Sequence, residues 1–161
     1  VIADLLIRLL TRRVYRKGHI YGDDGSLYME RFGLFETRWL SARVHHIVRP
    51  DMDRHMHDHP WWFVSLVLRG WYREAVPDRI DPCFGAACDP EREWEFTKLR
   101  RAGSIAFRRP TDRHSIVDMP YDQGCWTLFI TGPIRQWWGF YTPAGKVHWR
   151  DYIEQRDGVR P

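Results

Sequence analysis

The chain is short of cysteine, of long apolar runs, of repeats and of net charge, and each shortage removes a class of protein. Cys83, Cys88 and Cys125 are the only 3 cysteines in 161 residues and have no framework spacing. This excludes a disulfide-stapled secreted scaffold and predicts a reducing, cytoplasmic compartment. No apolar stretch approaches the roughly 20 residues that cross a bilayer as a helix. Asp and Glu number 21 against 25 for Lys and Arg. The signs are interleaved, as at Asp51, Asp53, Arg54 and Asp58, so the dense basic stripe of a nucleic-acid binder is missing and such a partner is not expected. A Gly-rich phosphate loop, a Walker-type motif and a serine nucleophile elbow are missing as well.

Aromatic residues are what the chain has in excess: 9 Trp, 7 Tyr and 8 Phe, with doublets at Trp61-Trp62 and Trp137-Trp138. Aromatics favour strands and large packed surfaces, and from Ile20 onward short β-rich runs alternate with turn residues. Strands are predicted at Ile20-Tyr21, Leu27-Phe32, Leu34-Leu40, Arg43-Val48, Trp61-Arg69, Trp71-Val76, Trp94-Leu99, Ser104-Arg108, His114-Asp118, Cys125-Thr131, Gln136-Tyr141 and Val147-Tyr152, with no further helix. The pattern is that of an all-β sandwich or barrel. Ahead of it, residues 1–18 place Ile2, Leu5, Leu6, Leu9 and Leu10 at helical spacing and end in Arg12, Arg13, Arg16 and Lys17, an amphipathic helix with cations near its C-terminus. Asp4 and Arg8 interrupt the apolar run, so the helix is expected to dock on the domain or a partner rather than to act as a signal peptide or lie on a membrane. Residues 19–161 then form one barrel domain, broken by an irregular insertion between Pro77 and Arg92.

Chemistry concentrates at Arg54-His55-Met56-His57-Asp58-His59-Pro60. On a strand, His55, His57 and His59 face one way and Met56 and Asp58 the other, so two imidazoles at i and i+2 can converge on one metal ion. Three adjacent imidazoles rarely arise from core packing. A solvated histidine loop is the competing interpretation.

The spacing continues. Four positions after His59 comes Phe63 and seven further comes Gly70; later, Gly103 precedes His114 by eleven positions, with Pro110 between them. This resembles the cupin superfamily, whose motifs run G-x5-H-x-H-x3–4-E-x6-G and G-x5-P-x-G-x2-H-x3-N. The resemblance covers about Arg54 to Asp118 and implies a double-stranded β-helix, the jelly-roll barrel of that superfamily. It departs from the pattern where the acidic ligand falls on Phe63, the second-motif Gly on Thr111 and the Asn on Asp118, where Arg49-Pro50-Asp51 occupies the region of the absent first-motif Gly, and where Pro110 falls one place late. The usual three-His-plus-Glu sphere is thereby reduced to His57, His59 and His114, with His55 a substitute if the strand shifts.

Imidazole ligands suit iron, zinc, nickel or copper better than magnesium or calcium, and three of them leave positions open to water or substrate. Asp118 can orient an imidazole or simply end its strand. One of Arg108 and Arg109 should point inward, where a guanidinium binds a substrate carboxylate or phosphate; Arg108 is the candidate, although a solvated strand end is an equal alternative. Tyr72 and Glu74 share one strand face after Gly70 and serve substrate binding or acid–base work if that face is inward. Cys83-x4-Cys88 lacks the second ligand pair of a zinc site. Two functions follow: a metalloenzyme of dioxygenase or isomerase type acting on a small polar organic molecule, or a non-catalytic binding or assembly module. In either case a homodimer is expected, because both faces of the Trp61-Leu68 run are apolar.

Overall fold

A computed structural model describes residues 2–22, 24–51, 53, 55–77, 97–120 and 122–158. Helix α1 (Ile2–Arg12) leads into strands β1 (Arg16–Tyr21), β2 (Leu27–Glu36), β3 (Ser41–Ile47), β4 (Phe63–Arg69), β5 (Trp71–Ala75), β6 (Thr97–Arg101), β7 (Ile105–Arg108), β8 (Ser115–Asp118), β9 (Cys125–Thr131), β10 (Gly139–Thr142) and β11 (Gly145–His148), and the chain closes on helix α2 (Trp149–Asp157). The all-β expectation holds. One antiparallel sheet runs β1-β2-β3-β9-β4-β7; β6-β5-β8 and the β10-β11 hairpin form two smaller sheets.

Register assigns the faces. Ser41, Arg43, His45 and Ile47 of β3 share one side with Thr131, Phe129, Thr127 and Cys125 of β9 and with Phe63, Ser65 and Val67 of β4. This is the inner side. Its closed end holds an apolar cluster of Ile47, Val67, Tyr72, Ile116, Met119 and Cys125; its other end carries the polar and aromatic residues of the site. The outer side, with Ala42 and Val44 buried, is packed by α1.

Both motif glycines have a physical reason. Gly70 turns β4 into β5 at φ 84°, and a Cβ there would stand 2.5 Å from the Gly124 carbonyl oxygen; Gly103 turns β6 into β7 at φ 88°. Left-handed backbone of this kind favours the residue without a Cβ.

Several boundaries differ from expectation. Leu27-Phe32 and the first part of Leu34-Leu40 are one strand, β2, which runs through an irregularity between Gly33 and Phe35 and ends at Glu36, Thr37 N then donating to Leu40 O across the turn into β3. The N-terminal helix stops at Arg12, and Arg16 and Lys17 lie on β1. It docks by Ile7, which is 6% exposed, and by the Arg69–Asp4 ion pair at 2.5 Å, whereas Ile2, Leu5, Leu6 and Leu9 stay exposed. The expected docking stripe is therefore not the docking face. Val147-Tyr152 is not a strand: β11 ends at His148, whose side chain accepts from Arg150 N, and α2 begins there and ends at left-handed Gly158. Only Tyr152 of α2 is buried, so the helix carries almost no apolar period to read. Cys83, Cys88 and the first half of the predicted Trp94-Leu99 strand lie outside the described residues; its second half belongs to β6.

Candidate metal centre

His57 sits in no regular strand. It forms isolated bridges to His114 and Phe140, with His57 N donating to His114 O and His114 N donating to His57 O, both at 3.0 Å. The histidine segment is thus strapped between β8 and β10. Its opposite face holds Met56 and Asp58, both completely buried. Asp58 accepts from Gly139 N at 2.9 Å, Gln136 Nε2 at 2.9 Å and Tyr141 Oη at 3.0 Å, and pairs with Lys146 Nζ at 2.6 Å. This carboxylate fastens the back of the loop while the imidazoles turn inward. Sequence reasoning placed Asp58 on the far face and assigned it no role; the alternation was the signal, but its partners lie about eighty residues away.

The side chains of His57, His59 and His114 converge, with one ligand nitrogen from each within 4.8 Å of the others. His59 Nε2 and His114 Nε2 are 2.8 Å apart. At that distance either one ring donates to the other or both lone pairs address a shared cation. His57 Nδ1 is buried and has no hydrogen-bond partner among the described residues. Burial, reinforced by the neighbouring His114, pushes His59 well below the ordinary imidazole range; burial likewise lowers His57 to about 4. Near pH 7 both rings are therefore neutral, the form in which imidazole ligates a metal. An unpartnered buried nitrogen and a converging neutral imidazole set fit a divalent transition metal.

The walls are aromatic. Phe63, at the position where the cupin pattern has its acid, packs edge-on to His59 at 4.9 Å between ring centroids and touches Phe129 at 4.6 Å. A carboxylate nevertheless reaches the site from another strand. Glu74 of β5 is 1% exposed, and its Oε1 lies 3.1 Å from His114 Nδ1, at charge-pair distance but without full hydrogen-bond alignment. Its Oε2 meets Arg100 Nε at 2.9 Å and an Arg108 terminal nitrogen at 2.6 Å. Burial opposes its ionisation, but the contacts with His114, Arg108 and Arg100 outweigh that and hold Glu74 down at about 2. A carboxylate behind Nδ1 favours the tautomer whose Nε2 lone pair faces the metal position.

The other candidates separate. Arg108, rather than ending its strand in solvent, points inward and reaches the site through Glu74. Tyr72 is packed in the apolar cluster at the closed end, 5% exposed, so its surroundings give it a core role rather than a substrate contact. His55 turns away to Tyr152 Oη at 3.0 Å, because the segment is too irregular to keep strict strand alternation. Asp118 lies at the surface, 3.6 Å from Arg73, and orients no imidazole.

One buried histidine had no assigned role. His45 of β3 packs tilted against Phe129 at 4.7 Å, its Nε2 is buried without a hydrogen-bond partner among the described residues, and burial together with Arg31 and Arg43 lowers its pKa to about 3. A folded-state value below the unfolded 6.5 means the unfolded chain takes up the proton first, so stability falls as pH drops from about 6.5 toward 3. Between pH 7 and pH 5 the protein should lose about 2 kcal/mol more than a His45→Gln variant, measured by urea unfolding. Equal losses would show that His45 is not held neutral.

No protein-family model matches the sequence, and no curated protein does. Solved structures do match in shape. A putative mannose-6-phosphate isomerase from Ralstonia eutropha JMP134 aligns at TM-score 0.50 and 11% identity over 65% of this chain and 84% of its own. KdgF from Halomonas sp. aligns at 0.50 and 10% over 75% and 90%, and an RmlC-like cupin from Shewanella frigidimarina NCIMB 400 at 0.49 and 18% over 75% and 86%. At these identities the likeness is one of fold. The antiparallel barrel, with its motif spacing met at His57, His59, Gly70, Gly103 and His114, is a cupin fold with a three-histidine group inside it.

Proposed function

We propose that the protein is a metalloenzyme that binds one divalent transition metal through His57, His59 and His114 and acts on a small polar organic molecule. The observation that carries this is the convergence of three imidazole nitrogens in an aromatic-walled interior, two of the rings being held neutral. A bound metal would supply Lewis acidity or a place for dioxygen, which are the chemistries of isomerase-type and dioxygenase-type cupins. The chain's own residues do the rest. Glu74 orients His114, Phe63 and Phe129 exclude water from one side, and Arg108 leaves Glu74 with two guanidinium partners, so the interior keeps a positive charge for a substrate oxygen. Phe63 cannot ligate, so coordination positions stay open.

Cobalt(II) tests this reading. Added to metal-free protein, it should give the intense visible absorption of a four- or five-coordinate site, and azide should shift that band by occupying an open position. Weak six-coordinate absorption unmoved by azide would contradict the proposal.

A second reading, a non-catalytic module that forms a homodimer, is favoured by apolar side chains left uncovered on the outer side of the barrel: Ile105 and Phe107 on edge strand β7, and Leu5 and Leu9 on α1. Sedimentation of a concentration-independent monomer would remove it.

A further inference from the structure

The concave side of β1, β2 and β3 carries a group of cations that the metal centre does not use. Register places Arg16 opposite Gly33 and Gly33 opposite Arg43; in the next row Gly18 is opposite Arg31 and Arg31 opposite His45. Residues in one row, and residues two apart on one strand, share a face, so Arg16, Arg31, Arg43 and His45 all project to the same side. The glycines alternate with the arginines in these rows. A Cβ on Gly18 would lie 3.8 Å from an Arg31 guanidinium nitrogen, and the place of a Gly33 side chain is taken by the Tyr15 ring.

Like charges on neighbouring strands are unfavourable unless something compensates them. Among the described residues the compensation is one carboxylate: Glu36 stands 3.8 Å from Arg43 and accepts from Tyr15 Oη at 2.5 Å. Arg43 also donates to Ser41 Oγ at 2.8 Å. Arg16 and Arg31 have no carboxylate partner among the described residues, and desolvation, Arg43 and Arg16 together lower the Arg31 pKa. Deeper on the same face lies His45, 7% exposed, whose Nε2 has no hydrogen-bond partner among the described residues.

This face leads to the metal centre. The His45 ring contacts Phe129, Phe129 contacts Phe63, and Phe63 packs on His59. The Phe129 and Phe63 rings therefore lie between the inner edge of the arginine group and the histidines.

We infer that Arg16, Arg31 and Arg43, with His45 at their inner edge, form an anion-binding subsite that takes a carboxylate or phosphate group of the substrate. Guanidinium groups recognise both anions through paired, charge-assisted hydrogen bonds. The substrate class is then a small organic acid or phosphate ester, an assignment that rests on the metal-centre reading for its reacting end and on the arginines for its anionic end.

Calorimetric titration of the full chain with inorganic phosphate and with succinate separates the two. The protein should bind at least one of these probes more weakly as salt is raised. Arg31→Gln should weaken binding at least tenfold, Arg16→Gln should weaken it in the same direction, and Arg31→Lys should restore only part of the loss. The His57→Ala/His114→Ala variant should bind the anion as the parent does, and a parent chain that takes up no metal after reconstitution yet binds phosphate would sink the metalloenzyme proposal and leave this one standing. Absence of binding to both probes, or equal binding by the parent and Arg31→Gln, would overturn the subsite. Binding lost only in the double histidine variant would place the anion at the metal centre and overturn it too.

Discussion

Asp58→Ala should destabilise the protein by about 3–5 kcal/mol, the usual cost of removing one member of a buried ion pair. The carboxylate has no exposure, and its removal leaves the Lys146 ammonium, the Gly139 amide and the Tyr141 and Gln136 donors without their acceptor. Asp58→Asn should cost somewhat less, since an amide oxygen still accepts from Gly139 while the charge opposite Lys146 is lost. Because Asp58 lies between two candidate ligands, the loss should also loosen the histidine loop. Chemical denaturation measures the first effect and metal affinity the second. A change below about 1 kcal/mol in Asp58→Ala would mean that the four-partner network contributes little to holding this loop.

Glu74→Gln should have the second large effect, and on two properties together. It leaves the half-buried Arg100 and Arg108 beside each other without a counter-charge, which should cost a few kcal/mol of stability. It also removes the anionic partner behind His114 Nδ1, which should weaken metal binding by about 10–100-fold. The second outcome separates positioning from mere structure. Pairing Glu74→Gln with Arg100→Met should recover stability by removing the excess charge, but it should not recover metal affinity. Recovery of both would reduce Glu74 to a structural anion.

How much of this was legible beforehand follows from the range over which each signal acts. The histidine pair at i and i+2, the two turn glycines and the strand-rich pattern are local, and a β-strand period or a left-handed turn writes them directly into adjacent residues. Hence the fold and the grouping of His57, His59 and His114 were recoverable, whereas Arg108 was left open between an inward and a solvated place. Glu74 was visible only as a polar residue on an undetermined face, because its partnership with His114 and two arginines depends on how β5 lies across β6 and β8. Asp58 was hidden for the same reason, its partners being on or near the β10-β11 hairpin.

Helices were legible in proportion to their apolar period. The N-terminal apolar stripe announced α1 but not its docking side, since Ile7, one position outside that stripe, makes the buried contact. Polar α2 gave no period at all and is defined by its caps. The arginine group of β1, β2 and β3 comes from residues between 16 and 43, none of them near another in sequence. Only the antiparallel register places them side by side.

The central claim is that three histidines hold one metal ion inside a cupin barrel. Elemental mass spectrometry of protein purified without a histidine tag, alongside the His57→Ala/His114→Ala variant, tests it most directly. The parent should carry close to one equivalent of iron, zinc, nickel or copper per chain, as isolated or after reconstitution, and the folded variant should carry almost none. Absence of metal from the parent after reconstitution, or equal metal in the two proteins, would contradict it.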